Sequence, residues 1–496
     1  MWGRIECVRY ISEINGKTTK SINYQNIITM NIEERNQNFI DREKLYGMIA
    51  GEAPTKERLQ AVLDKAKLLK GLSLEDVADL LRVENPADIH AIMDVAKYVK
   101  EQIYGKRLVL FAPVYTGNVC VNNCVYCAFR RDNKKIVSKV LNMDEIETET
   151  RILLRDGHKR ILLICGESPR NDINYICEAI RRVYSIREGK HNVRRINVEL
   201  APMSVEDFRR LKAENIGTYV CFQETYDPVL YKEYHPAGSP KADFENRLLV
   251  MDRAMEGGIN DVGLGVLFGL ADYRYEILAL MEHANHLERA FGCGPHTISF
   301  PRIEPAEGAP LPDHIPHKVS DDDFKKIIAI IRIALPYTGI ILSTRENDDM
   351  RTELFNYGIS QISAGSRTNP GAYSDEAEKS GSQFSLGDHR SLEEVISSMI
   401  DSGYIPSFCT GCYRNGRVGA DFMDLAKPGL IKQYCLPNAM FSFKEYLYDF
   451  ASEETRNKGL KLIQKMLNED IPNNARKEKI ENNLHEIEEG KRDLYF

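Results

Sequence analysis

The feature that most constrains this chain is an alternation of short apolar stretches with longer amphipathic helical stretches, which starts at Arg107. The predicted strands are 107–115, 160–167, 195–201, 218–225, 261–270, 296–302, 339–345 and 361–367. Helical stretches such as 275–291 and 321–335 lie between them. Eight strand–helix units over about 300 residues predict an α/β fold, a closed parallel (β/α)8 TIM-type barrel. An incomplete barrel of six units with two packed extras is the alternative.

Two regions flank the barrel pattern and differ from it. Before the first strand, a polar and patternless extension is followed by apolar residues that recur with helical spacing from Thr55 to Val99. After the last barrel helix, predicted at 392–400, comes a mostly helical tail with its own group of cysteines. We therefore expect three domains: an N-terminal extension with a helical segment (1–104), the barrel (105–403) and a C-terminal cysteine-bearing domain (404–496).

Charge and composition narrow the classes of partner and compartment. The formal net charge of −7 argues against a nucleic-acid partner. No apolar run reaches the roughly 18 residues that a membrane-spanning helix needs, and the charged start of the chain does not resemble a signal peptide. We therefore expect a cytoplasmic protein with no membrane partner. In that reducing compartment clustered cysteines serve metal binding or catalysis rather than disulfides.

A cysteine motif follows directly after the first predicted strand. Cys120, Cys124 and Cys127 stand in Cys-Val-Asn-Asn-Cys-Val-Tyr-Cys, a spacing in which three thiolates can hold three corners of a 4Fe-4S cluster. The fourth iron then stays open and can chelate S-adenosylmethionine. A zinc site is the alternative, but such sites usually have a fourth Cys or His in register, and none stands near this motif. The spacing, with the aromatic Tyr126 before the last cysteine, resembles the signature of the radical SAM superfamily.

Candidate partners for S-adenosylmethionine stand at the carboxyl ends of successive predicted strands, where barrel enzymes place their chemistry. Gly166 and Glu167 end the second strand and are candidates for binding the methionyl amino group. Glu199 ends the third strand and Glu224 lies at the end of the fourth. Arg247 opens a following helix and is a candidate for the methionyl carboxylate. Each of these residues, taken alone, is equally consistent with a surface or salt-bridged position.

Four barrel segments resemble the aromatic-amino-acid lyases of the radical SAM superfamily. They are 222–226 (FQETY), 299–302 (SFPR), 342–346 (LSTRE) and 363–366 (SAGS). The tail carries Cys409, Cys412 and Cys435 in a C-x2-C-x22-C spacing, which resembles the HydG branch of these lyases. The ThiH branch, the tyrosine lyases of thiamine biosynthesis, lacks this tail. Val418 departs from the HydG pattern, in which we expect a Thr, and should alter neither ligation nor chemistry.

The resemblance implies an activity, its cofactors and its partners. HydG-type lyases cleave the Cα–Cβ bond of L-tyrosine to p-cresol and a dehydroglycine fragment, which becomes carbon monoxide and cyanide for assembly of the FeFe-hydrogenase cluster. The implied cofactors are two 4Fe-4S clusters, S-adenosylmethionine, and an additional iron at the auxiliary cluster with free cysteine. The tail is then an auxiliary iron-sulfur cluster domain. The implied partners are a reductant such as ferredoxin or flavodoxin and the other hydrogenase maturases.

Binding of tyrosine requires a partner for its carboxylate. A permanently charged guanidinium that binds in a bidentate manner suits this role. Arg302 at the end of the sixth strand is the first candidate, and Arg345 at the end of the seventh is the second. Either can instead be a structural salt-bridge arginine at the barrel rim. Ser363 and Ser366 are candidates for additional hydrogen bonds.

Topology places the two cysteine groups at opposite ends of the barrel. The first group follows strand one at the top, whereas Cys409 and Cys412 follow a helix that returns to the bottom. Eight strand residues at about 3.3 Å each separate the sites by roughly 25 Å. His296 begins the sixth strand at the bottom, and since imidazole suits iron it is the predicted ligand of the additional iron. His283 and His286 lie on the preceding helix, and one of them is expected to face inward as a further candidate.

Several alternatives remain open at this point. The tail cysteines can instead hold zinc or an electron-relay cluster. A ThiH-like tyrosine lyase that stops at dehydroglycine, with a structural tail cluster, is the alternative activity, and the three-cysteine tail argues against it. A cluster-carrying scaffold without catalysis is the alternative from another class. The full set of candidate cofactor and substrate residues argues against a scaffold, which would not need them.

Overall fold

Eight parallel strands close into the barrel that the alternating pattern predicts. The computed structural model describes residues 37–374 and 381–496, so the predicted N-terminal extension lies outside the described residues. The strands β1 to β8 are Arg107–Gly117, Arg160–Cys165, Arg195–Glu199, Thr218–Glu224, Asp261–Val266, Thr297–Ser299, Gly339–Leu342 and Gln361–Ser363. Each strand pairs in parallel with the next, and β1 pairs with both β2 and β8. The barrel is complete, which excludes the six-unit alternative.

The strands differ from prediction at their ends rather than at their starts. Each begins at or one residue after the predicted position, but all except β1 end earlier. The residues that follow leave the hydrogen-bonded ladder and turn across the top of the barrel, where Gly166, Pro301 and Thr344 line a cavity. A barrel whose strands are largely buried obtains its functional side chains from these turns.

Helices surround the barrel and form both flanking regions. Before the barrel, α1 to α4 are Arg42–Ile49, Lys56–Ala66, Leu74–Leu81 and Pro86–Ile103. Around it, α5 to α14 are Met143–Arg155, Ile173–Ser185, Val205–Ala213, Pro228–Tyr234, Phe244–Leu248, Val250–Glu256, Tyr273–Phe291, Asp321–Ala334, Asp348–Leu354 and Leu392–Asp401. In the tail, α15 to α19 are Gly411–Arg414, Gly419–Ala426, Lys432–Asp449, Glu453–Glu469 and Asn474–Glu488. No helix among the described residues is both long and apolar enough to cross a membrane.

A ninth strand, Ile405–Ser407 (β9), joins the tail to the barrel. It pairs in parallel with the start of β1, from Arg107 opposite Ile405 to Val109 opposite Ser407. The sequence pattern does not reveal this strand, because three residues with a central proline give too short a run to recognise. The pairing holds Cys409, two residues further on, at the amino-terminal end of the barrel.

Candidate active site

The barrel lumen opens into a cavity at each end. Alternate residues of β1 face the lumen, as strand geometry requires. Arg107 and Val109 line the lower cavity, at the amino-terminal ends of the strands, whereas Phe111, Pro113 and Tyr115 line the upper cavity. The first cysteine group lines the upper cavity and the second group lines the lower one. The two groups therefore lie apart along the barrel axis.

The first three cysteines share one wall of the upper cavity. Cys124 is buried, and Cys120 and Cys127 are half-buried. Asn122 Nδ2 donates to Cys120 Sγ at 3.6 Å, and Gln383 Nε2 donates to Cys127 Sγ at 3.9 Å. Burial raises the pKa of the Cys127 thiol to about 12, so its thiolate needs a positively charged partner. The irons of a cluster are such a partner, and the donor set fits one with three protein ligands.

Within residues 37–374 and 381–496, no three His, Cys, Asp or Glu side chains come together as they would around a single metal ion. The cysteines of each group nevertheless face one shared cavity. Ligation of a cluster by either group stays a prediction.

The end of β2 packs tightly against the first cysteine loop. A Cβ atom at Gly166 would lie 2.5 Å from the carbonyl oxygen of Val119, so a larger residue would force the loop away. Val121 N donates to the Glu167 carbonyl at 2.8 Å, and Asn122 Nδ2 donates to Glu167 Oε2 at 2.6 Å. Gly166 and Glu167 are thereby held beside the cysteines and line the same cavity.

Two carboxyl groups from adjacent strands face the upper cavity in different electrostatic surroundings. Burial, and then the neighbouring Glu224, raises the pKa of Glu199 to about 7. Glu224 Oε1 lies 2.6 Å from Lys241 Nζ and 4.0 Å from Arg247 Nη2. The backbone of Glu224 has a φ of 71°, in the left-handed region that side chains other than glycine rarely adopt. Such strain concentrates at functional sites.

Tyr126 and Arg247 are both oriented by hydrogen bonds to neighbouring elements. The Tyr126 hydroxyl and His235 Nε2 lie 2.7 Å apart, and Tyr126 lines the upper cavity. Arg247 Nε donates to the Phe222 carbonyl at 2.5 Å, and its side chain also lines this cavity. Lys241, which sequence reasoning missed, completes the cationic side of the cavity. No spacing or strand position marks it in the sequence.

The two candidate arginines for the substrate carboxylate have different surroundings. Arg302 Nη1 donates to Asp321 Oδ1 at 2.7 Å, and its Nε donates to Glu346 Oε1 at 3.0 Å. Arg302 is not among the described residues that line the upper cavity, whereas Arg345 is. Arg345 stacks on Phe384, and its Nε is buried without a hydrogen-bond partner in the described part of the chain. The charge of Arg302 is already neutralised, so this geometry favours Arg345 as the candidate, and the role of either arginine stays a prediction.

Two serines line the upper cavity together with Arg345. Ser363 ends β8, and Ser366 follows in the next turn. Ser366 Oγ is buried and has no hydrogen-bond partner among the described residues. A polar ligand in the cavity can satisfy that hydroxyl.

The second cysteine group lines the lower cavity together with His296. Gly411 N donates to Cys409 Sγ at 3.2 Å. A hydrogen bond from Cys435 lowers the pKa of the Cys412 thiol below its usual range. Thiolate is the form that binds metal, so the lower cavity favours at least one ligand in its active form.

His296 contacts two groups on opposite sides of its ring. Its Nε2 lies 2.9 Å from the Tyr413 hydroxyl, and its Nδ1 lies 3.5 Å from Asp261 Oδ1. Burial lowers the pKa of His296, so the imidazole is neutral, which is the metal-binding form. The ring faces the cavity that the cysteines line, and its role as iron ligand stays a prediction.

The other two candidate histidines lie away from the lower cavity. His283 Nδ1 is 2.8 Å from the Tyr226 hydroxyl, and His286 Nε2 is 2.7 Å from Asp252 Oδ1. The His286 ring stacks on Phe39, which precedes α1. Both histidines therefore serve the packing between α11 and the amino-terminal helices, which corrects the expectation that one of them faces inward.

Three arginines at the amino-terminal strand ends make the lower end of the barrel cationic. Arg107 and Arg160 line the lower cavity, and Arg195 lies opposite Arg160 in the pairing of β2 with β3. Arg160 Nη1 donates to the Cys409 carbonyl at 2.7 Å. The Nε atoms of all three are buried without a hydrogen-bond partner among the described residues. Sequence reasoning missed them, although each is the first residue of a predicted strand.

Family models match both parts of the barrel. Residues 114–284 match the Radical SAM superfamily, and residues 299–405 match the Biotin and Thiamin Synthesis associated domain. A 2-iminoacetate synthase of Salmonella typhimurium is 30% identical over 351 residues, which cover 70% of this chain and 89% of that protein.

Solved structures similar to this chain extend the match into the tail. A structure of HydG, a maturase of the [FeFe]-hydrogenase, is 47% identical, with a TM-score of 0.89 and coverage of 93% of this chain and 100% of that one. The FeFe-hydrogenase maturase HydG from Carboxydothermus hydrogenoformans is 40% identical, with a TM-score of 0.77 and coverage of 89% and 97%. A methylornithine synthase at 21% identity and a TM-score of 0.56 shares the fold.

Proposed function

The chain belongs to the HydG family of radical SAM lyases, and we propose that it cleaves L-tyrosine and prepares carbon monoxide and cyanide for a hydrogenase. In this proposal the Cα–Cβ bond of tyrosine breaks to give p-cresol and dehydroglycine. The dehydroglycine fragment becomes carbon monoxide and cyanide, which are delivered on an iron held at the auxiliary cluster. The observation that carries the proposal is one barrel lumen with a thiol-lined cavity at each end.

The upper cavity is the proposed site of radical generation. Cys120, Cys124 and Cys127 would hold a 4Fe-4S cluster, which when bound would supply the electron for reductive cleavage of S-adenosylmethionine. Gly166 and Glu167, held against the cysteine loop, would receive the methionyl amino group. Arg247 would supply the positive charge that the methionyl carboxylate needs. Lys241, which is paired with Glu224, completes the cofactor side of the cavity together with Tyr126 and Glu199.

Arg345 is the proposed partner of the tyrosine carboxylate. Its side chain is half-buried, lines the upper cavity and has a buried Nε that no described residue accepts from. A buried donor without an acceptor costs free energy, which a bidentate carboxylate would recover. Ser363 and Ser366 line the same cavity and can add hydrogen bonds to the same substrate. Arg302 is then a positioning residue, since Arg345 Nη1 donates to its carbonyl at 3.2 Å.

Glu199 is the proposed acid–base group for tyrosine. With a pKa of about 7 it can exchange a proton near neutral pH, which suits general catalysis. We assign it the task of accepting a proton from tyrosine as the side chain is released.

The lower cavity is the proposed site where the fragment is converted. Cys409, Cys412 and Cys435 would hold the auxiliary cluster, and His296 would hold the additional iron, with free cysteine as a further ligand. Arg107 and Arg160 place positive charge in this cavity. That charge favours thiolates and attracts the carboxylate of dehydroglycine. The loaded iron would then pass to the other hydrogenase maturases.

The experiment that tests the proposal compares products from the two ends of the barrel. The protein is reconstituted anaerobically with iron and sulfide, and given S-adenosylmethionine, dithionite and tyrosine. We expect the wild type to form p-cresol, cyanide and carbon monoxide, and a Cys409→Ala, Cys412→Ala variant to form p-cresol without carbon monoxide. A wild type that forms only p-cresol and glyoxylate would instead support the ThiH-like alternative with a structural tail cluster.

A further inference from the structure

We propose that residues 130–139, the basic loop, form the docking surface for an acidic one-electron carrier protein. The proposal rests on the proposed function only in that the first cysteine group holds a reducible cluster. The loop has the sequence RRDNKKIVSK, with five basic side chains and one acidic side chain. The whole chain has a net charge of −7, so this loop opposes the charge of the molecule around it.

Three of the five basic side chains of the basic loop, those of Arg131, Lys134 and Lys135, are directed to solvent. Arg131 and Asp132 are 52% and 57% exposed, and Lys134 and Lys135 are also exposed. Val137, at 60% exposure, places an apolar side chain among them. Charged side chains around a small apolar contact suit a transient, electrostatically steered complex.

The basic loop lies next to the first cysteine group. It starts three residues after Cys127, and Arg130 N donates to the Cys127 carbonyl at 3.3 Å. Beneath it, Ile136 packs with the buried Phe129 and the buried Ala128, and Phe129 belongs to the apolar cluster against which Cys120 and Cys127 pack. One apolar layer therefore separates the exposed charges from the cysteine thiols. An electron that enters at this surface has a short path to a cluster there.

The conformation of the basic loop is fixed from both sides. Asn133 Nδ2 donates to the carbonyls of Ala128 and Glu307, each at 2.8 Å. At the other end, Asn118 Nδ2 donates to the Val137 carbonyl at 2.8 Å, and Lys139 N donates to Asn118 Oδ1 at 2.6 Å. The surface is thus formed before a partner arrives, which lowers the entropic cost of docking.

The charge of the loop selects the chemistry of the partner. The carrier is a small protein with an acidic face around an iron-sulfur or flavin centre. In the docked complex its reduced centre loses one electron and the cluster bound by the first cysteines gains it, with no change in covalent bonds. A solvent-facing charge run with no partner is the competing outcome.

The test measures reduction of the cluster rather than product formation. Full-length protein is reconstituted anaerobically, and bleaching of its oxidised clusters is followed by stopped-flow with a reduced ferredoxin of negative net charge. The Lys134→Glu, Lys135→Glu variant should be reduced about tenfold more slowly than wild type at low salt, and the difference should vanish at high salt. The matched control is Lys461→Glu, Lys465→Glu, an equal charge reversal at two exposed positions of α18, which should match wild type.

Reduction by dithionite distinguishes a defect in docking from damage to the cluster. All three proteins should be reduced by dithionite at the same rate and should form p-cresol at the same rate with it, because dithionite needs no docking surface. Equal ferredoxin rates for wild type and the loop variant would overturn the proposal, as would an equal slowing of the control. Slower reduction of the loop variant by dithionite would also overturn it. Failure of the proposed function is a separate outcome, seen as missing products with dithionite in the wild type.

Discussion

The two cavities of the barrel differ in the charge of the residues that line them. Glu167, Glu199 and Glu224 line the upper cavity together with Lys241, Arg247 and Arg345, so acidic and basic groups face each other there. Among the described residues, no Asp or Glu lines the lower cavity, where arginines carry the charge beside the three cysteines. A mixed cavity suits zwitterions such as tyrosine and S-adenosylmethionine. A cationic cavity suits thiolates and a small carboxylate, so the two ends of the lumen suit the two different reactions of the proposed function.

The largest effect is expected when the upper site is lost, because both the cleavage of tyrosine and the conversion of its fragment then stop. In Cys124→Ala the first cluster loses one of its three predicted ligands, and we expect no p-cresol, cyanide or carbon monoxide. Cys177→Ala, which removes a buried cysteine of α6 away from both cavities, is the matched control and should keep all three products. Product quantification by chromatography checks this. Retention of p-cresol in Cys124→Ala would contradict the proposal that tyrosine cleavage depends on the first cysteine group.

The next effect concerns proton transfer in the upper cavity. The pKa of Glu199 is raised to about 7, so its carboxyl holds a proton below that pH and is ionised above it. As a base it should make p-cresol formation rise with pH through about 7. Glu199→Gln should lower the rate on the order of 100-fold and flatten this profile. The exposed Glu206→Gln on α7 is the control. An unchanged inflection in Glu199→Gln would assign the titration to another group.

A smaller effect distinguishes the two arginines at the barrel rim. Arg345→Gln should raise the KM for tyrosine and lower kcat/KM roughly 30-fold, about 2 kcal/mol of binding. Arg302→Gln should change KM little, since its guanidinium is paired with Glu346 and Asp321. Steady-state p-cresol formation at several tyrosine concentrations checks both. A larger rise in KM for Arg302→Gln than for Arg345→Gln would instead favour Arg302 as the carboxylate partner, as strand positions alone predict.

The smallest expected effect concerns the positive charge of the lower cavity. Arg107→Gln removes one positive charge beside the second cysteine group and should leave p-cresol formation unchanged. Cyanide and carbon monoxide should fall about tenfold, because the fragment's carboxylate is held less well. Arg170→Gln, at an exposed position after β2, is the control. An equal fall in all three products would show that Arg107 supports the whole barrel rather than the lower cavity.

More of the fold than of the candidate sites could be predicted from the sequence. Strand starts are visible in the sequence because apolar runs such as 107–115 begin abruptly after helices. Strand ends are not, since residues such as Gly166 leave the ladder only through contacts with another loop. Strand β9 cannot be recognised from the sequence, because its pairing partner, the start of β1, is about 300 residues away.

Likewise, the sequence predicts only some of the side-chain positions in the candidate site. His296 and Arg345 could be placed at opposite ends of the barrel from strand direction alone. The choice between Arg302 and Arg345 could not be made, because it depends on Glu346 and Asp321, which only the fold brings to Arg302. His283 and His286 look inward-facing by helical spacing, yet the amino-terminal helices offer them a second buried surface.

The central claim is that two clusters with different roles lie at opposite ends of one barrel. Its most direct test is electron paramagnetic resonance of the reduced, reconstituted protein with and without S-adenosylmethionine, in wild type and in Cys409→Ala, Cys412→Ala. We predict two signals in the wild type, of which S-adenosylmethionine shifts only one. The double variant should retain that one and lose the other. A double variant that loses the S-adenosylmethionine-sensitive signal, or a wild type in which both signals shift, would contradict the account.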